Sequence, residues 1–271
     1  MTKRINWLAF VLGWSFALLI FFPILWMALT SIKTETDAYA FRPLLFFHPT
    51  LENFRTVLGQ SAYGRYALNS LFTSAGGTLA AMALSVPAAY TMAFHPGPRT
   101  ASTLMWMMST RMMPPVSALI PIYLLLAHFG LIDSVPALIG IYALMNLPIT
   151  IWLVYSYFRE VPHEILEAGR MDGMSVWQEI WHLLLPLSLP GLASSALLSL
   201  ILCWNEAFWS INLTGAKAGT LAVFIATFSN PQGLFLAKLS AASVLAIAPI
   251  LVFGWSAQRQ LVRGLTFGAV K

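Results

Sequence analysis

Long apolar runs alternate with short polar interruptions along this chain, and the run lengths set its class. Trp7 to Thr30 is apolar over 24 residues, more than the roughly 20 a helix needs to cross a bilayer. Similar runs cover Leu68–Phe94, Ala101–Ala127, Pro136–Phe158, Leu189–Leu213 and Lys238–Ser256. Six membrane-spanning helices are therefore predicted, in one all-α domain over residues 1–271. A secretory signal would have an apolar core of only about 7–15 residues ahead of its cleavage site. The first run exceeds that and reads as an uncleaved span, with Trp7 and Trp26 as interfacial aromatics. The patch Leu221–Phe228 is too short to cross.

The runs differ in texture. Leu68–Phe94 is rich in Ala, Gly, Ser and Thr, which lets neighbouring helices approach closely in lipid. Ala101–Ala127 contains Arg111, Pro114, Pro115 and Pro121 and is expected to be kinked or broken; broken helices in membranes occur where backbone lines a cavity or rests on protein. Residues 31–66 read as an exposed periplasmic loop with one short helix near Leu51–Leu58. His95–Arg99 and Gly130–Val135 read as turns.

Composition narrows the function. A chain that is 58% hydrophobic and 9% charged, with mean hydropathy +0.74, is too apolar for a soluble domain. Its net charge of +5 is scattered rather than patched, which argues against a nucleic-acid binder. One cysteine, Cys203, leaves no internal disulfide and no Cys-based metal site. His48, His95, His128, His163 and His182 fall in apparent loops without metal-ligand spacing. No G-x-x-x-x-G-K-[ST] loop occurs, so the chain is not expected to bind ATP, and no catalytic set or cofactor is expected.

Basic residues set the orientation. With both termini in the cytoplasm, Lys3, Arg4, Arg99, Arg159, Arg170, Arg259, Arg263 and Lys271 lie inside, against Lys217 and Lys238 in short external loops. Lys33, Arg42, Arg55 and Arg65 belong to the long first loop, and long loops determine topology weakly.

Between the fourth and fifth runs lies a polar island that holds half of the ten acids: Glu160, Glu164, Glu167, Asp172 and Glu179. Pro162 suits a helix start, Ile165, Leu166, Ala168 and Gly169 share a face, and Gly173 supplies a stop. Ser175 and Gln178 form a capping-box pattern for a second short helix, which Pro186 is expected to interrupt. An interfacial helix lying on headgroups would favour Lys and Arg over acids, so this loop is read as facing a protein.

The other polar interruption is in the fifth run, where Trp204, Asn205, Glu206, Trp209 and Asn212 gather. A carboxylate at mid-membrane costs about 2.5–3.5 kcal/mol, so Glu206 is expected to face a cavity or a partner. Aromatic faces beside amides and a carboxylate suit a sugar or polyol. Packing between subunits at the periplasmic end is the alternative role. Arg111 either pairs with Glu206, lines the pathway or sits at the interface.

Glu167, Ala168, Gly169, Gly173, Leu183, Leu185 and Pro186 resemble the cytoplasmic EAA loop of ABC importer permeases, here over residues 159–188. Gly169 stands where Ala is usual and Leu183 where Ile is usual. Asn69-Ser70, Met113-Pro114-Pro115, Gly130-Leu131-Ile132-Asp133 and Gly264–Lys271 resemble the carbohydrate-uptake, maltose-type branch, and Ala237–Lys271 is most similar to mannitol/sorbitol permeases. The resemblance implies a type I ABC importer fold in a bacterial inner membrane. It also implies a heterodimer with a second homologous permease, an ABC ATPase dimer that uses ATP and Mg, and a periplasmic binding protein. Glu164, Glu167, Ala168, Gly169, Asp172, Gly173, Leu183 and Pro186 are the coupling residues it implies. The rival reading is an ion-coupled secondary transporter of a small polar solute, for which only Arg111 and Glu206 qualify.

Overall fold

The computed structural model describes residues 7–59, 62–230 and 233–267. Lys3, Arg4 and Gly268–Lys271 lie outside the described residues, as do the side chains of Arg259 and Arg263. Among the described residues the fold is helical, with one two-residue antiparallel pairing of Ser229–Asn230 with Gly233–Leu234. Four unbroken helices among the described residues are long and apolar enough to cross a membrane, or six if each of two bent pairs is one span. The chain falls into two compact units, residues 1–64 with 224–248 and residues 65–223 with 249–271.

In the first unit, the helix Trp7–Ser31 is apolar all round and exposed through most of its length, as lipid contact allows. The segment after it is less open than its polarity suggests. Lys33 is only 2% exposed, with its ammonium 4.3 Å from the Trp26 ring centre and 5.1 Å from that of Phe47. A cation over aromatic faces tolerates such burial. Asn53, in the short helix Glu52–Gly59, donates to the carbonyls of Ser31 (2.9 Å) and Lys33 (2.7 Å). The Glu35 carboxylate accepts the N–H groups of Ala237 (3.0 Å) and Lys238 (3.1 Å), capping the start of the last helix, Leu236–Phe267.

The second unit holds the helices that position the candidate sites. The second span begins early, at Tyr63, and runs to Phe94. Its small residues are used as expected: a Cβ on Gly77 would stand 2.7 Å from Tyr142 Cβ on the fourth span, Val135–Phe158. The third span is two helices, Thr100–Thr110 and Pro115–His128, bent by 88°. The break falls at Arg111–Pro114, whereas Pro121 is accommodated within the second helix. The fifth span, Leu189–Trp204, stops at Asn205 and resumes as Phe208–Leu213.

Pro186 does not interrupt the second loop helix. That helix runs Val176–Leu187, widened to a π-helix over Glu179–Leu184. The i→i+5 pattern removes the usual conflict between a proline ring and the carbonyl four residues earlier. The break comes instead at Ser188, where the chain bends 84° into the fifth span. Three of the five histidines are helical rather than in loops: His128, His163 and His182.

Candidate functional site

The first loop helix, His163–Met171, ends in a Schellman arrangement: Met174 N–H donates to Gly169 O and Gly173 N–H to Arg170 O, both at 3.0 Å. Gly173 has φ +82°, a conformation glycine adopts freely and other residues resist. Ser175 N–H donates to Gln178 Oε1 at 2.8 Å, so the expected capping box starts the second helix.

The acids of the loop separate into two sets. Glu164, Glu167 and Asp172 face outward on or beside the first helix, while Leu166 and Gly169 pack inward and Ile165 is half-buried. Ala168 is exposed rather than on the packed face, because the buried stripe follows the one- and four-residue steps from Ile165 and leaves position 168 at its edge. Glu179 turns inside and is 1% exposed. Its carboxylate takes Arg170 Nε at 2.8 Å and Nη2 at 3.2 Å, and the Tyr90 hydroxyl from the second span at 2.8 Å. Burial by itself raises the Glu179 pKa, but the hydrogen bonds from Arg170 and Tyr90, with the charges of Arg170 and His95, bring it below its ordinary value. Both loop helices are thereby tied to each other and to the second span.

The two departures from the family pattern are spatial partners. A Cβ on Gly169 would lie 2.7 Å from Leu183 Cδ1 and 3.3 Å from Met174 Sδ. Glycine at 169 makes the room that leucine at 183 fills. Pro186 is exposed.

The membrane-embedded candidates divide as well. Arg111, Pro114, Met145, Pro148, Glu206 and Trp209 line a cleft of about 430 Å³ where the break in the third span faces that in the fifth. Arg111 Nη1 donates to Met145 O (2.8 Å) and Asn146 Oδ1 (3.2 Å) rather than pairing with Glu206. Glu206 Oε1 accepts Trp209 N–H at 3.1 Å, closing the turn that restarts the fifth span. Trp204, Asn205 and Asn212 are not in the cleft lining; the two amides donate back to Ile201 and Phe208 of their own helices. The buried relay beneath the cleft was missed by sequence reasoning. Asn146 Nδ2 donates to Cys203 Sγ at 2.9 Å, and Thr150 joins Ser85 at 2.6 Å. The available signal was Asn146 itself, an amide inside an apolar run.

A third cluster braces residues 214–221. Asp133 has φ +56°, and its carboxylate accepts the N–H groups of Gly215 (2.7 Å), Ala218 (2.8 Å) and Lys217 (3.1 Å). Asn69 donates to the carbonyls of Lys217 and Gly219, and Ser70 Oγ accepts Leu221 N–H. Among the described residues no group of three His, Cys, Asp or Glu side chains is placed to hold a metal.

Residues 85–266 match the family model described as "Binding-protein-dependent transport system inner membrane component". The "Probable ABC transporter permease protein y4oR" of Sinorhizobium fredii is 32% identical over 270 residues, 100% of this chain and 96% of that protein. The trehalose transport system permease protein SugB of Mycobacterium tuberculosis is 31% identical, with 92% of each chain covered. The trehalose/maltose transport system permease protein MalG of Thermococcus litoralis is 30% identical, over 94% of this chain and 93% of that one. In fold, a chain of a bacterial ABC transporter importing alginate superposes with TM-score 0.78 at 22% identity, covering 96% of this chain and 98% of the other. These matches displace the ion-coupled reading.

Proposed function

This chain belongs to the family of inner membrane components of binding-protein-dependent transport systems, and from that premise we propose that it is the permease subunit of an ATP-driven importer for a sugar or sugar alcohol. It is a transport component and not an enzyme. The observation that carries the mechanism is the braced loop. A short helix presents Glu164, Glu167 and Asp172 outward while Arg170, Glu179 and Tyr90 fix it to the second span. Force applied to such a helix reaches the spans, because little of it is lost in a compliant linker.

In this reading residues 159–188 are the cytoplasmic coupling loop, residues 31–66 the periplasmic loop, and both termini cytoplasmic. The partners are a second homologous permease, an ATPase dimer that uses ATP and Mg, and a periplasmic binding protein. Relatives named for trehalose and for trehalose/maltose support a sugar; the likeness of Ala237–Lys271 to mannitol/sorbitol permeases supports a sugar alcohol. Arg111, Glu206 and Trp209 form the substrate pathway, offering donors, an acceptor and a flat apolar face.

The test is a pull-down of the tagged chain in mild detergent with partners identified by mass, followed by uptake. One other permease-like chain and an ATPase are expected; recovery of the chain alone or as a homo-oligomer overturns the reading. Glu167→Lys and Gly173→Pro are expected to abolish uptake without altering the binding protein's affinity for substrate, and normal uptake by either removes the coupling role.

A further inference from the structure

The two loop helices present different chemistry, and so fit different neighbours. The first carries the exposed acids. The second, Val176–Leu187, has a single acid, and Glu179 is buried against Arg170 and Tyr90. Its outer side instead shows Val176, Trp177 and Trp181, the tryptophans each 63% exposed and one turn apart. Leu187 and Leu189, at the bend into the fifth span, are exposed as well. Trp177 also flanks a groove with Pro87 and Tyr90, so the aromatic side is continuous with the second span too.

The geometry points to a lipid neighbour. Val176–Leu187 makes an angle of 84° with Leu189–Trp204. If the latter crosses the bilayer, the former lies close to the membrane plane at the bilayer's edge. Tryptophan is enriched at that depth, where its ring meets the acyl boundary and its N–H the headgroups. The anionic cytoplasmic leaflet repels exposed carboxylates, and this helix shows none. We propose that Val176–Leu187 is an in-plane anchor, seated in the cytoplasmic headgroup layer by Trp177 and Trp181. The acidic first helix is left free for protein. The inference rests on the proposed cytoplasmic placement of residues 159–188.

The test uses the full transporter in nanodiscs of phosphatidylethanolamine and phosphatidylglycerol, spin-labelled singly at Trp177→Cys, Trp181→Cys, Glu164→Cys and Met171→Cys. Cys203 is buried, and the unsubstituted protein serves as the blank. Collisions with oxygen are expected to exceed those with a water-soluble nickel complex at 177 and 181, and, once the ATPase is stripped from the transporter, the reverse at 164 and 171. Nickel excess at 177 and 181 overturns the anchor, as does shielding from both reagents that appears only when the ATPase is present, which would make the face a protein contact. Should the tryptophan variants fail to assemble, Val176→Cys, exposed and in the same groove as Trp177, is expected to show the same oxygen excess, and nickel excess there overturns the anchor. Labelling of Glu164→Cys by an impermeant thiol reagent in spheroplasts and in inverted vesicles tests the placement separately. Reaction from the outer side alone removes that placement whatever the depth readings show.

Discussion

Arg170 and Glu179 sit on different loop helices and meet at 2.8 Å, with the Arg170 side chain 44% exposed and that of Glu179 2%. The ion pair therefore joins the two helices across their turn, and the Tyr90 hydroxyl extends the hold to the second span. Arg170→Ala is expected to leave a buried carboxylate short of its main partner, at a cost of about 2 kcal/mol given the exposure of the arginine. Hydrogen exchange over residues 163–187 is the measurement, and protection there should fall. Arg170→Lys is expected to recover only part of it, because an ammonium cannot make the two-nitrogen fork.

The pH dependence has a definite sign. The Glu179 pKa is depressed in the folded loop, so its contribution is present above the unfolded carboxyl's value of about 4.3 and is lost as pH falls through the folded one. Loop protection is expected to be flat from neutral to mildly acidic pH and to drop only below about 4. A drop near neutrality would show that Glu179 is not the group that titrates.

Gly169 and Leu183 form a testable pair. Alanine at 169 would favour the helix by about 1 kcal/mol, while overpacking against Leu183 Cδ1 costs about 1–3 kcal/mol at a separation of 2.7 Å. Gly169→Ala is expected to destabilise the loop, and Gly169→Ala with Leu183→Ile to regain the loss. A double-mutant cycle by thermal unfolding reads the coupling, and simple additivity would show that the two sites do not share space.

Asp133 combines a left-handed backbone with a carboxylate that accepts three N–H groups. Burial raises its pKa, but those donors and the Lys217 charge bring it below its ordinary value. Asp133→Ala loses the acceptors and keeps the strained φ, for an expected cost of about 2–4 kcal/mol. Asp133→Asn is expected to cost less, because asparagine tolerates that φ and keeps one carbonyl oxygen. Proteolysis of residues 214–221 reports both.

The apolar runs located the spans because length and hydropathy alone determine which segments can cross a membrane, and the loop motifs were legible because capping and glycine stops are local. What was not legible depended on distant partners. Lys33 reads as a loop cation, yet the rings of Trp26 and Phe47 enclose it. Glu179 reads as one more acid of the island until Tyr90, 89 residues away, is seen to reach it. Arg111 and Glu206 line one cleft, but their hydrogen bonds go elsewhere, to Met145, Asn146 and Trp209.

The widened turn at Glu179–Leu184 lets this loop carry one residue more than an ordinary helix of the same reach. Glu179 and Leu184, five residues apart, are both buried, whereas five α-helical steps would separate them by about 140°. Deleting one residue there would restore an ordinary turn and leave everything beyond it nearly in place, because the widened turn holds one residue more than an α-helical one. A single-codon deletion would therefore keep Ser188 and the entry to the fifth span aligned, and relatives are expected to differ here by one residue without moving that entry.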